Sequence, residues 1–162
     1  MKITTKEKYC RKFGQKMLWN ERCSSAKCGL IRRRQRPGVH GRKPKSFSLY
    51  GKQLLEKQRL KFSYLLNERK MKQYAELAKK SKKSAPLALI EILERRLDNV
   101  IWRLGFVSSK FTARQLVSHG HFLVNGKRIK SPSYLVNVGD VIEIRQQSRG
   151  IKPFENLNQR LK

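Results

Sequence analysis

Arg32, Arg33, Arg34, Arg36, Arg42, Lys43 and Lys45 follow one another with no carboxylate among them, and Pro37, Gly38, Val39, His40 and Gly41 interrupt them where a chain would turn. A guanidinium presents a planar fork of donors that matches the oxygens of a phosphate, and lysine adds a point charge. Held in a turn, such groups can neutralise phosphates that converge on one place, with His40 as a further donor. A solvated tail is the alternative for any basic run, but proline and glycine at these spacings argue for a built turn.

A second cationic set lies on Ala113 to Ile144, a stretch that reads as a compact RNA-binding module. Asn125-Gly126 stands between Phe122-Leu123-Val124 and Lys127-Arg128-Ile129. Both turn residues tolerate the positive φ of a two-residue type I′ turn, so a hairpin is expected with Asn125 at its tip. Thr112 and Gln115 have capping-box spacing at the start of a short helix, and Gly120 can end it in the left-handed region. Gly139-Asp140 turns the chain into Val141 to Ile144, where β-branched residues favour a closing strand. Leu116 and Val117 then face the small sheet, and Lys110, Arg114, His119, His121, Lys127, Arg128 and Lys130 point outward.

Cys10, Cys23 and Cys28 all fall in the basic N-terminal segment. An odd count argues against a closed disulfide framework. Thiolates at Cys23-x4-Cys28 with a third upstream could hold zinc and staple a segment that lacks a core. A structural site normally takes four ligands, no fourth cysteine exists, and His40 has no specific support as a substitute. Free or buried thiols and a zinc site both stay open; zinc is the one cofactor the sequence suggests.

The net charge of +28 and a sequence pI near 10.8 call for a polyanionic partner. Residues 1–85 hold 26 Lys and Arg against 5 acids, and residues 86–162 hold 13 against 6, so the first half must meet most of the phosphate. No apolar run approaches the ~18 to 20 residues of a membrane-spanning helix, and Met1 to Gln15 has no apolar segment that could serve as a secretion signal. Membrane is therefore not expected among the partners, nor is a conventional organellar import peptide in the chain as given.

These groups need elements to position them. Residues 1–47 are poor in apolar periodicity and are expected to be irregular until they meet a partner. From Ser48, Leu55, Phe62 and Leu66 share one helical face, with Lys52, Lys57, Arg59 and Lys61 around it. Asn67 can cap a second helix on which Met71, Tyr74, Ala75 and Ala78 keep the i, i+3, i+4, i+7 rhythm. After the basic break Lys79 to Pro86, apolar residues from Ile90 to Leu104 predict one long core helix that ends at Gly105. Its polar face carries Glu91, Glu94, Arg95, Arg96, Asp98 and Arg103, several of which should pair with one another. The division read from composition is a basic segment over 1–47, a helical domain over 48–105, the module over 106–145 and a short polar tail over 146–162. The fold class is α+β: a helical domain plus a module of short helices on a small antiparallel sheet.

Signals for catalysis are weak. His119 and His121 flank Gly120, but no carboxylate pair, serine elbow or Gly-rich phosphate loop accompanies them. For Asp98 a structural ion pair or cap is the favoured role. Trp19, Tyr50, Tyr64, Trp102 and Tyr134 could stack on bases; packing is favoured for Trp102, while Tyr50 and Tyr134 lie beside turns and basic residues.

ERCSSAKC at Glu21 to Cys28, RPGVHGRK at Arg36 to Lys43, YGKQLLEKQRLK at Tyr50 to Lys61 and ILERRLDNVIWRLGF at Ile92 to Phe106 resemble the small-subunit ribosomal protein four family of bacteria and organelles. The module itself is similar to one carried by pseudouridine synthases, a tyrosyl-tRNA synthetase appendage and a small heat-shock RNA binder. Pro-Gly-x-His-Gly combined with Glu-Arg-Arg-Leu-Asp-Asn-Val is the specific combination. The resemblance implies a non-catalytic protein of the ribosome, in the bacterial cytoplasm or in an organelle with its own translation. It implies direct binding of small-subunit rRNA early in assembly, proteins three and five of the subunit as neighbours, and a place where mRNA enters the subunit, with a part in translational accuracy. By the same resemblance the Arg36 to Lys45 turn, the helix start from Tyr50 to Lys61 and the Lys110 to Arg128 face contact RNA. An RNA-modifying enzyme and a free RNA chaperone are the rival classes.

Two departures stand out. Zinc-bearing members have a Cys-x2-Cys pair at the start, and Phe13 stands where the second thiolate would be. Bacterial members also run on beyond the module, which weakens the expected contact with protein five.

Overall fold

The computed structural model of the chain describes residues 8–17, 23, 25–43 and 46–154. Its packing divides into two compact units, one up to Met71 and one from Lys72. The expected α+β class is what the fold shows: seven helices and one three-stranded antiparallel sheet among the described residues.

In the first unit, α1 (Lys8–Phe13), α2 (Gly29–Arg32) and α3 (Leu49–Ser63) precede the start of α4 (Glu68–Lys79). The Ser48 hydroxyl accepts from the Gly51 N–H at 3.2 Å and opens α3, and the Asn67 side chain accepts from the Lys70 N–H at 2.8 Å and opens α4. Irregular structure was the expectation for the N-terminal segment, yet α1 is helical and buries Cys10 and Phe13 with Met17, Cys23, Phe62 and Leu65. The reason is that α3 supplies the apolar partner the segment lacks: Phe62 stacks on Tyr9 at 4.5 Å between ring centroids and meets Phe13 at 5.7 Å. Such ring pairs contribute about 0.5 to 1.5 kcal/mol beyond their burial.

In the second unit, α5 (Ala85–Glu94) and α6 (Leu97–Arg103) take the place of the single long helix that the periodicity predicts. Arg96 adopts φ −64°, ψ 135°, and pairs as an isolated bridge with Leu135. The Leu97 N–H donates to the Tyr134 carbonyl and the Val136 N–H to the Arg95 carbonyl, both at 2.8 Å. Backbone groups that a continuous helix would pair internally are thus satisfied by a neighbouring extended strand of chain. Leu93, Leu97 and Ile101 stay on one fully buried face across the break, which is why the sequence rhythm does not register it.

α7 (Lys110–His119) then leads through Gly120, at φ 73°, into β1 (Phe122–Val124), β2 (Lys127–Arg128) and β3 (Ile142–Ile144), in the order β2-β1-β3. Asn125 and Gly126 both take positive φ, 51° and 75°, as the type I′ turn requires. Leu116 and Val117 join Leu97, Ile101, Phe122 and Val124 in the core, as expected. The cap of α7 is Ser109 rather than Thr112: its hydroxyl accepts from the Thr112 N–H at 3.2 Å, and the helix starts three residues earlier than the capping-box spacing suggests. Residues after Arg145 read as a polar tail, but Phe154 returns to the core, edge-on to Phe122 at 5.7 Å. Among the described residues no helix is long and apolar enough to cross a membrane.

Candidate nucleic-acid interface

The basic turn of the first unit is closed by an arginine that sequence reasoning passed over. Arg11, on α1, donates from Nε to the Gln35 carbonyl at 2.9 Å and from Nη2 to the Arg36 carbonyl at 3.3 Å. Nothing in the residues around it marks this part; its place on α1 beside the buried Cys10 and Phe13 is what aims it at the turn. Within the turn, the Gly41 N–H donates to the Gly38 carbonyl at 3.1 Å and the Lys43 N–H to the His40 carbonyl at 3.2 Å. Gly38 takes φ 103°, a value that favours glycine. Gly41 is required for space, because a Cβ there would lie 2.0 Å from the Arg36 carbonyl oxygen.

So built, the turn borders a cavity of about 800 Å³ lined by Arg11, Arg32, Arg33, Arg34, Arg36 and Arg42. Arg32, Arg33, Arg34, His40, Arg42 and Lys43 are exposed, and Arg36 is half-buried with its guanidinium 4.9 Å from the Phe47 ring centroid. Arg42 Nε reaches the Gln35 side-chain carbonyl at 3.4 Å. Lys45 and Trp19 lie outside the described residues. An array of guanidinium groups in a turn closed by Arg11, with no carboxylate lining the cavity among the described residues, has the chemistry to receive phosphate.

The α3 cations are less available. Lys57 and Lys61 both engage Glu68, the latter at 2.6 Å, and Arg59 grips both oxygens of Glu56 at 3.0 Å. Hydrogen bonds from Lys57 and Lys61 hold the Glu68 carboxyl below its ordinary value. Tyr50, 72% exposed, and Lys52 are open to solvent at the helix start.

In the second unit the outward set sorts into distinct roles. Arg128 donates from Nε to the Gly120 carbonyl at 3.0 Å and from Nη2 to the His119 carbonyl at 2.9 Å, so its fork fastens β2 to the end of α7. Asn125 joins the hairpin tip to the next turn, with Nδ2 to Asp140 Oδ1 and Oδ1 from the Val141 N–H, each at 2.9 Å. Lys127 and Lys130 are exposed, as is His119. His121 is half-buried with Nδ1 2.9 Å from the Ser148 hydroxyl; burial, then the charges of His119, Arg128 and Arg145, hold its imidazolium below the ordinary value.

Lys110 departs from the outward expectation: it is half-buried, with Nζ 4.5 Å from the Trp102 ring centroid, and the same ring faces Arg103 at 5.0 Å. Trp102 itself packs against the core, as favoured. Arg114 Nη1 lies 3.6 Å from Asp98 Oδ2. Asp98 and Arg96, placed by periodicity on a solvated face, are instead buried; Arg96 bonds Asp98 at 2.6 Å and the Tyr74 hydroxyl at 2.8 Å. The favoured structural role of Asp98 is what the geometry shows. Tyr134 packs half-buried on the core rather than standing free.

All three thiols are buried. A hydrogen bond to Cys23 and burial push the Cys10 thiol up. Phe13, three residues after Cys10, presents a buried ring against Phe62 where a ligand would stand. Among the described residues no group of three or more His, Cys, Asp or Glu is placed to hold a metal ion, so these residues do not fit a tetrahedral zinc centre.

Comparison with known proteins agrees with this geometry. The ribosomal protein S4/S9 N-terminal domain matches residues 2–94 and the S4 domain matches residues 95–142. The small ribosomal subunit protein uS4 of Caldicellulosiruptor saccharolyticus is 47% identical over 152 residues, 93% of this chain and 73% of the relative. Its counterpart in Thermosipho melanesiensis is 49% identical over 150 residues, 92% of this chain and 72% of the relative. That of Aquifex aeolicus is 55% identical over 134 residues, 79% and 63% of the two chains. With both matched domains in succession, and the arginine turn and the stapled hairpin each falling inside one of them, the chain belongs to the ribosomal protein S4 family.

Proposed function

We propose that this protein is a non-catalytic component of the small ribosomal subunit that binds small-subunit rRNA directly through two faces, the arginine turn and the hairpin module. The observation that carries the reading is the Arg11 closure of the turn: one guanidinium bonds the Gln35 and Arg36 carbonyls, and the cavity so bordered is lined by five further arginines with no carboxylate among the described residues, so their charge is left for phosphate. Rigid mounting lets the cations specify which RNA strands lie side by side, a recognition of shape more than of base code.

The finer roles follow from the resemblance of the residue blocks. Early binding at a junction of rRNA helices would nucleate assembly. Proteins three and five of the subunit would be its neighbours, and a position where mRNA enters would bear on translational accuracy. The setting is a ribosome of the bacterial cytoplasm or of an organelle.

The test is binding of the purified chain to small-subunit rRNA across a salt series, with sedimentation of the bound particle. Neutralising about 8 to 10 phosphates would give log affinity against log salt a slope of about −6 to −9. A slope shallower than about −2, or co-sedimentation with large-subunit particles alone, refutes the proposal.

A further inference from the structure

Beside the arginine-lined cavity stands a second one of different chemistry. It measures about 500 Å³, within the roughly 300 to 1,000 Å³ of sites that hold small organic groups. Val39, Phe47 and Leu55 give it apolar walls, while Lys12, Arg36 and Lys43 bring cations to it. Both cavities are lined by Arg36, Gly38, Val39 and Gly41, so a group seated in one adjoins a group seated in the other.

We propose that this second cavity receives one unpaired nucleobase of the bound RNA, while the arginine-lined cavity holds the phosphates next to it. The proposal rests on the rRNA-binding reading above and deepens it. Phosphate alone has no use for an apolar wall, and an apolar peptide has no use for a border of arginine and lysine. A nucleotide is flat and apolar at one end and anionic at the other, and only an unpaired one offers its face.

Two details favour this occupant. The Arg36 guanidinium lies 4.9 Å from the Phe47 ring centroid, and aromatic rings and guanidinium planes are both surfaces on which any base stacks. Val39 is 97% exposed although it lines the cavity, an apolar side chain set among cations and left open to solvent. A base against it would remove that surface from water. The chemistry selects an unpaired nucleotide and tolerates its identity.

The experiment titrates the full chain against small-subunit rRNA over a salt series, as parent, Phe47→Ala, Phe47→Trp and Val39→Ser, and maps base reactivity in each complex to dimethyl sulfate and to a carbodiimide, which between them read all four bases. Phe47→Ala should weaken binding about 5- to 140-fold at every salt concentration and leave the slope unchanged, since stacking releases no counterion. Phe47→Trp should retain parental affinity. Val39→Ser, at a side chain with no folding role, should weaken binding a few-fold, and one unpaired nucleotide protected by the parent should regain reactivity with both weakened variants. If the parent binds with a steep slope but both variants match it, the base site is refuted while the phosphate reading stands. Weakening without any nucleotide regaining reactivity also refutes it. If the parent itself shows no salt-dependent binding, the underlying reading fails first.

Discussion

Arg96 and Asp98, two residues apart, close a bidentate pair across the break between α5 and α6, Nη2 to Oδ2 at 2.6 Å and Nε to Oδ1 at 3.1 Å. With Arg96 only 1% exposed, removing its partner leaves a buried cation uncompensated. Asp98→Ala should destabilise the second unit by about 3 to 5 kcal/mol in urea unfolding. A loss below about 1 kcal/mol would show that the pair does not hold the break. The same carboxylate lies 3.6 Å from Arg114, so the variant should also disturb a cation of the module's face.

Arg128 and Gly120 are bound to each other sterically as well as by hydrogen bonding. A Cβ at Gly120 would lie 2.4 Å from Arg128 Nε, on a backbone already at φ 73°. Gly120→Ala should therefore cost about 1 to 2 kcal/mol from the left-handed backbone alone, and more as Arg128 is displaced. Arg128→Lys should not restore the staple, because an ammonium lacks the fork that reaches both carbonyls. Amide exchange of the β1–β2 hairpin, faster in both variants, checks this; unchanged protection would contradict it.

Lys110 should titrate near neutrality. Burial, then the Arg103 guanidinium, pushes its ammonium down from 10.5 to about 8. A depressed folded value favours the neutral amine, so this contribution to stability is complete above the unfolded value of 10.5 and is lost as pH falls through about 8. An arriving phosphate reverses the preference, so RNA binding should take up a proton between those limits. Calorimetric titration near pH 8.5 in two buffers of different ionisation enthalpy measures that uptake. Equal uptake by the parent and Lys110→Arg would refute the assignment.

Reversal of charge at Arg33, Arg34 and Arg42 together should reduce the salt slope by roughly 0.9 for each phosphate contact removed, with the helical content unchanged. Gly41→Ala should weaken rRNA binding by a different route, since its Cβ meets the Arg36 carbonyl at 2.0 Å and the turn must reopen. Filter binding with circular dichroism separates both from unfolding. Full affinity in Gly41→Ala would mean that the shape of the turn is immaterial.

Where a feature depends on its own residues, the sequence makes it readable: Asn125-Gly126 with its positive φ values, Gly120 at the end of α7 and Asn67 at the head of α4 all behave as local chemistry requires. What escapes is whatever a distant segment decides. The break at Arg96 depends on Tyr134 and Val136 lying alongside, and Leu93, Leu97 and Ile101 keep helical spacing across it. The hydroxyl of Ser109 captures α7 ahead of Thr112 because it is itself buried, 2% exposed, a fact of packing. In the candidate site, charge marked the turn, but Arg11 and Phe47 carry no local sign of their parts. Of the cations expected to face RNA, Lys57 and Lys61 engage Glu68 on the next helix, a meeting that periodicity alone does not bring about, while Arg59 takes the i, i+3 partner Glu56 on its own helix.

The placement of Arg11 has a consequence for how damage would spread. Its helix is anchored by Phe13 seated against Phe62, and from that anchorage Arg11 reaches the carbonyls of Gln35 and Arg36. A greasy residue outside the arginine-lined cavity thereby sets how that cavity is closed. An oil-to-water lesion at Phe13 would therefore loosen the arginine turn with every cation still in the chain.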